Sequence, residues 1–156
     1  MQIELTLNGV SQRLDIHPGE TLLETLRSHG LTGIKLGCGH GDCGSCVVLW
    51  NGQPVNACQV LTAAVAGDSV TTIEGLSDMT KPHVIQTELV KAGAVQCGFC
   101  TPGIVLSAYA LLQNKPHPTA DEIKTALDGH LCRCTGYVKI IEGIQNAAQL
   151  IKDGKV

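Results

Sequence analysis

"GCGHGDCGSC", residues 37–46, sets three cysteines and four glycines in ten positions. Three thiols this close in sequence reach one compact core only if the backbone wraps around it. Wrapping demands dihedral angles that residues with a Cβ avoid and glycine adopts freely. Gly37, Gly39, Gly41 and Gly44 supply that freedom. The same wrapping turns backbone N–H groups toward the sulfurs, which stabilises the charge added on reduction and helps set the potential. Cys38-x4-Cys43-x2-Cys46, with Cys58 after eleven further residues, has the spacing of a plant-type [2Fe–2S] site. A structural zinc site more often shows paired Cys-x2-Cys knuckles, and only Cys43 and Cys46 form such a pair here. Rieske-type ligation through His40 would need a second histidine near the other cysteine pair, where Ser45 and Val47 flank Cys46 instead.

The rest of the composition is that of an ordinary globular protein. The 156 residues suit one domain or two small ones, with 44% hydrophobic and 16% charged residues. Aromatics are only 3%, so Leu, Ile, Val and Ala must build the core. A net charge of −3 argues against a general nucleic-acid binder. No apolar run approaches the roughly 20 residues of a membrane span. The N-terminus, "MQIELTLNGVSQRLDI", shows neither a basic segment leading into an apolar one nor a twin-arginine pair, so a cytoplasmic location is expected. In that reducing compartment eight cysteines point to metal binding or catalysis before disulfides.

The chain divides between its cysteine groups. We expect a domain over residues 1–75, a linker over 76–82 without apolar periodicity, and a second domain over 83–156. The first half reads as strands: "IELTLNG" alternates, Asn8-Gly9 and Asn51-Gly52 mark hairpins, and "DSVTTI" is a late strand. One helix interrupts them, opened by the capping box of Thr21 and Glu24 and stopped at Gly30. The second half reads as four helices. Thr101 is a candidate cap with Pro102 in the first helical position, and Thr119 with Glu122 forms another capping box. The last helix is expected to bury Val138, Ile141, Ile144, Ala148 and Ile151, spaced by three and four. The fold class is therefore α+β, a small sheet domain followed by a helical bundle.

"QCGFCTPG" and "HLCRCTGY" hold the second group, Cys97, Cys100, Cys132 and Cys134. A helical hairpin between them would bring the two turns to one end of a bundle. Cys132 and Cys134 stand at the head of the last helix, where free N–H groups favour thiolates. Spacing alone leaves iron–sulfur and zinc both open for this group. A second cluster near the first would make an electron relay.

At these residues the sequence resembles the small iron–sulfur subunits of the molybdenum hydroxylases, the xanthine oxidase and aldehyde oxidoreductase family. "GCGHGDCGSC", Cys58, "GAVQCGFCTPG" and "LCRCTGY" carry the resemblance in order, and it covers about residues 2–150. It implies a β-grasp ferredoxin-like domain followed by a four-helix bundle, each holding one [2Fe–2S] cluster. It implies a large molybdopterin-binding partner and usually a medium FAD-binding subunit, in a heterotrimer that can pair. Cys97, Cys100, Cys132 and Cys134 would hold the cluster near molybdenum, and Cys38, Cys43, Cys46 and Cys58 the one facing the flavin. Gln96 and Cys134 match the positions that meet the pterin. One position departs from the pattern: Val47 follows Cys46 where many relatives carry threonine, which keeps the shape and removes a hydroxyl beside the ligands.

The resulting expectation is an electron-transfer subunit of an oxidoreductase complex that hydroxylates a C–H bond with water as oxygen source, with no catalytic residue on this chain. The alternative is a free-standing ferredoxin-type carrier or a structural metal-binding module, which the second four-cysteine group disfavours. Arg133 reads as a solvated or subunit-facing charge and Trp50 as core or interface. His17, His29, His83, His117 and His130 show no ligand spacing and read as surface or cap residues.

Overall fold

A computed structural model describes residues 1–77 and 80–154. Strand β1 (Gln2–Leu7) alternates as expected and turns Ile3, Leu5 and Leu7 inward. It pairs antiparallel with β2 (Val10–Asp15), from Gln2 opposite Asp15 to Leu7 opposite Val10. The two-residue turn works because Asn8 and Gly9 both take positive φ, 51° and 81°. That is the type I′ geometry whose twist matches a hairpin. Asn51 and Gly52 repeat the device (φ 48° and 80°) between β3 (Val47–Trp50) and β4 (Gln53–Asn56). The short β5 (Ser69–Thr71) lies parallel to β1 and antiparallel to β3, so the sheet order is β2-β1-β5-β3-β4. The late strand is shorter than "DSVTTI": Ile73 already opens helix α2 (Ile73–Leu76).

Helix α1 (Leu22–Ser28) begins at the Thr21–Glu24 capping box and lays Leu22, Leu23 and Leu26 on the sheet core of Ile3, Leu5, Val48 and Val70. The second half consists of α3 (Val84–Lys91), α4 (Thr101–Asn114), α5 (Ala120–Ala126) and α6 (Val138–Lys152) around Ile85, Leu89, Ile104, Ile123, Ile140 and Ile144. Six α-helices are thus present among the described residues. None of their helices is long and apolar enough to cross a membrane. Of the linker expected over 76–82, Asp78 and Met79 lie outside the described residues, as do Lys155 and Val156 of the expected second domain.

Two expectations about the helices need correction. Thr101 is the first helical residue of α4, not its cap; Cys100 occupies the cap and offers no side-chain capping bond. The buried face of α6 is Ile140, Gly143, Ile144, Ala147 and Ala148, whereas Val138 is 71% exposed and Ile151 sits at the rim. Small residues decide that face. A Cβ on Gly143 would lie 3.0 Å from the Leu89 Cα and 3.2 Å from the Glu88 carbonyl oxygen, so α3 and α6 touch through backbone.

The halves meet along β3. Val48 points into the sheet core, while Val47 and Leu49 pack against Leu106 and Ala110 of α4. A strand buried on both faces reads as a continuous apolar run, and "VVLW" is one.

Gly143→Ala should destabilise the protein even though alanine is the better helix former. Overpacking costs about 1–3 kcal/mol against about 1 kcal/mol of propensity gained, a net loss of roughly 1 kcal/mol. A lower urea midpoint at unchanged slope would show it.

Candidate metal centres

The first cysteine group is assembled by a hairpin and a loop. Cys46 immediately precedes β3, and Cys58 lies in the 3-10 turn Ala57–Gln59 that follows β4. Val47 pairs with Asn56, and the Ala57 N–H donates to the Cys46 carbonyl at 3.1 Å. The eleven residues between Cys46 and Cys58 are therefore the hairpin, whose register returns the chain to the same end. Residues 37–45 fold over that end. Gly39, Gly41 and Gly44 take positive φ, while Gly37 is needed for space: a Cβ there would lie 2.6 Å from the Cys43 sulfur.

Backbone donors converge on the thiols. The N–H groups of His40 and Asp42 point at Cys38 Sγ (3.3 and 3.4 Å), and that of Cys38 at Cys43 Sγ (3.4 Å). Gln59 Nε2 reaches Cys58 Sγ at 3.4 Å. Hydrogen bonds from His40 and then Asp42 hold the Cys38 thiol down to about 6, favouring thiolate. Burial pushes Cys46 up to about 12.

The second group is assembled by two turns. Cys97 and Cys100 lie between α3 and α4, Cys132 and Cys134 between α5 and α6. The Cys134 and Cys97 sulfurs are 3.6 Å apart. Thr135 Oγ1 donates to Cys132 Sγ at 3.0 Å, and Tyr137, held at φ 69°, accepts the Cys132 N–H at 2.8 Å. Burial pushes Cys100 up to about 12. Burial opposes ionisation of Cys132, but the hydrogen bonds of Thr135 bring it below the ordinary thiol value. It is Cys100, at the cap of α4, that occupies a helix N-terminus; Cys132 and Cys134 lie upstream of the Tyr137 cap of α6. Gln96 is exposed and donates from Nε2 to the Cys134 carbonyl at 3.1 Å, so these two residues do come together.

All eight thiols are free. Among the described residues no three His, Cys, Asp or Glu side chains close around a single metal ion. Each group instead offers four thiols to a glycine-built or turn-built cradle with N–H or hydroxyl donors at the sulfur edge. That donor set fits an iron–sulfur cluster, which is anionic once four thiolates ligate it.

The two cradles touch. The Leu131 N–H, next to Cys132, donates to the Cys43 carbonyl at 3.0 Å. Sequence reasoning missed the residue beside this bond. His130 is only 6% exposed, its Nε2 lies 2.8 Å from Ser107 Oγ, and burial lowers it to about 4, so the ring is neutral. Of the other histidines, His83 caps α3 and His29 ends α1, while His17 and His117 are exposed. Arg133 is exposed, and Trp50 packs on the sheet core with its N–H on Asp68 at 2.8 Å.

Comparison with known proteins gives this geometry its class. Residues 5–68 match the family model of a 2Fe-2S iron-sulfur cluster binding domain, and residues 72–145 that of a [2Fe-2S] binding domain. The chain is thus an iron–sulfur protein with two [2Fe–2S] clusters. It is 45% identical to the nicotinate dehydrogenase small FeS subunit of Eubacterium barkeri, over 94% of each chain. It is also 45% identical to the xanthine dehydrogenase of Emericella nidulans, where it spans 98% of this chain but 12% of that longer one. Its fold superposes on quinoline 2-oxidoreductase from Pseudomonas putida 86 with a TM-score of 0.94 at 40% identity, covering 100% of this chain and 98% of that one. The chain belongs to the small iron–sulfur subunits of the molybdenum hydroxylases, the xanthine oxidase family. Its work is electron transfer, as a non-catalytic subunit of an oxidoreductase.

In the chain freed of iron, alkylation by iodoacetamide should begin at Cys38. The thiolate dominates above its pKa, so the Cys38 rate should rise through about pH 6 and level off near neutrality, with Cys46 inert there. Peptide mass mapping across pH reads this directly. A Cys38 rate still climbing at pH 9, as for an ordinary thiol, would contradict the role given to the His40 and Asp42 amides.

Proposed function

We propose that this chain passes electrons from a molybdopterin centre on a large partner subunit to FAD on a medium subunit, within a cytoplasmic heterotrimer that can pair. Cys97, Cys100, Cys132 and Cys134 ligate the cluster that receives electrons first. Cys38, Cys43, Cys46 and Cys58 ligate the one that hands them on. Residues 1–75 act as a β-grasp ferredoxin-like domain, residues 83–156 as a four-helix bundle domain, and 76–82 as the linker.

The observation that carries this reading is the hydrogen bond from Leu131 to the Cys43 carbonyl. Two unrelated structural metal sites have no need of a joint between their ligand loops, whereas a relay does. Exposure supports this direction. Cys97 and Cys134 are exposed, and Phe99, Leu131 and Val138, near the four cysteines in the sequence, are 45%, 61% and 71% exposed. Exposed large apolar side chains suit a protein partner. Gln96, bonded to Cys134 in the same place, supplies an amide to the pterin edge.

Leu131→Asp tests the docking. A tagged native chain recovered from its own cells should bring down a larger polypeptide containing molybdenum, and the Leu131→Asp chain should lose it while keeping its iron. A native chain that is recovered alone and without molybdenum would contradict the proposal.

A further inference from the structure

"GHLCRC", residues 129–134, places His130 two positions before a proposed ligand, and its ring is buried where the two halves meet. One edge is anchored: Nε2 lies 2.8 Å from Ser107 Oγ on α4, and both residues are almost wholly buried. The opposite edge faces the first cysteine loop. A Cβ on Gly44 would fall on the imidazole Nδ1 and lie 2.8 Å from its Cγ. Gly103 of α4 approaches the same peptide: a Cβ there would fall on the Gly44 carbonyl oxygen and lie 3.4 Å from His130 Cε1. The Gly44 peptide is therefore in close contact with both α4 and the His130 ring.

The backbone around His130 is pinned as firmly. Its N–H donates to the Leu127 carbonyl at 2.9 Å, and its carbonyl accepts from the Tyr137 hydroxyl at 3.0 Å. The next amide, Leu131, donates to Cys43, and the next, Cys132, to the Tyr137 oxygen. Every backbone N–H from His130 to Cys132 thus has a fixed partner. The bond that joins the two cradles lies one residue from the ring on one strand of chain and one residue from Gly44 on the other. A Cβ on Gly44 would also lie 2.9 Å from the Gly129 carbonyl oxygen, so the two loops approach at backbone distance.

We propose that His130 is the positioning residue of the contact between the clusters: its ring, anchored by Ser107, seats the Gly44 peptide and so keeps the Cys43 carbonyl aligned with the Leu131 N–H. This inference rests on the relay reading above. It adds a residue that ligates nothing yet sets how strongly the two sites communicate.

The test is low-temperature EPR of the full-length chain, loaded with iron and sulfide and fully reduced, which reads the splitting of each signal by its reduced neighbour. Ser107→Ala removes the anchor and keeps the ring; His130→Ala removes the ring. Leu49→Ala loosens the same junction through the Leu106–Ala110 packing without touching the ring. The expected result is loss of the splitting in Ser107→Ala and His130→Ala, at native iron content, and its retention in Leu49→Ala. Ser107→Ala decides alone if His130→Ala does not fold. Splitting retained in Ser107→Ala overturns the inference and leaves the relay standing. Splitting lost equally in Leu49→Ala assigns it to general loosening and also overturns the inference. A native chain that takes up no pair of clusters would instead overturn the relay reading.

Discussion

Thiolates repel one another, and that repulsion is what the fold has to overcome twice. Four sulfurs brought to one place each raise the cost of ionising the next. The chain meets this with donors rather than with cations. Backbone amides of His40, Asp42 and Cys38 face the first group, and Thr135 faces the second. Donors alone do not serve every thiol: burial holds Cys46 and Cys100 protonated, each pushed up to about 12. Those thiols lose their protons to the surrounding water only as iron takes the proton's place on sulfur, so cluster binding and proton release are coupled. In the first group a half-buried thiol already charged, Cys38, beside a buried one still neutral, Cys46, is an arrangement ready to capture iron.

The same constraint explains why β3 is the wall between the halves. Cys46 must be held at the end of a hairpin, and that hairpin must also face α4 so that the first loop reaches the turn before Cys132. Val48 serves the sheet core, while Val47 and Leu49 serve the junction. Val47 therefore sits in an apolar wall against Leu106 and Ala110, where a methyl group packs well. The relay is built into the packing of one strand on one helix.

Much of this was legible in the residues. The Asn-Gly turns were readable because positive φ at two successive positions admits few residues, and the capping boxes at Thr21 and Thr119 because their reciprocal bonds need particular side chains at fixed spacing. The two cysteine groups were readable from spacing and from glycine density. Other features were not. The face of α6 is set by Gly143, Ala147 and Ala148, whose smallness lets α3 approach; a reading that follows large apolar residues picks Val138, which is largely outside, and Ile151, which sits at the rim. His130 has no periodicity to betray it, because its burial comes from Gly44 and Ser107, far away in sequence. The only hint available was a glycine at 103 inside an apolar helix, a position that signals close approach of another backbone.

The central claim is that one short chain houses two separate clusters joined at their ligand loops. Low-temperature EPR of the dithionite-reduced native chain, with iron and sulfide counted, addresses it most directly. The account predicts two distinguishable S = 1/2 signals and about four iron and four sulfide per chain, the sum for two [2Fe–2S] sites. A silent spectrum with zinc in the cysteine sites, or a single signal with half that iron, would contradict it.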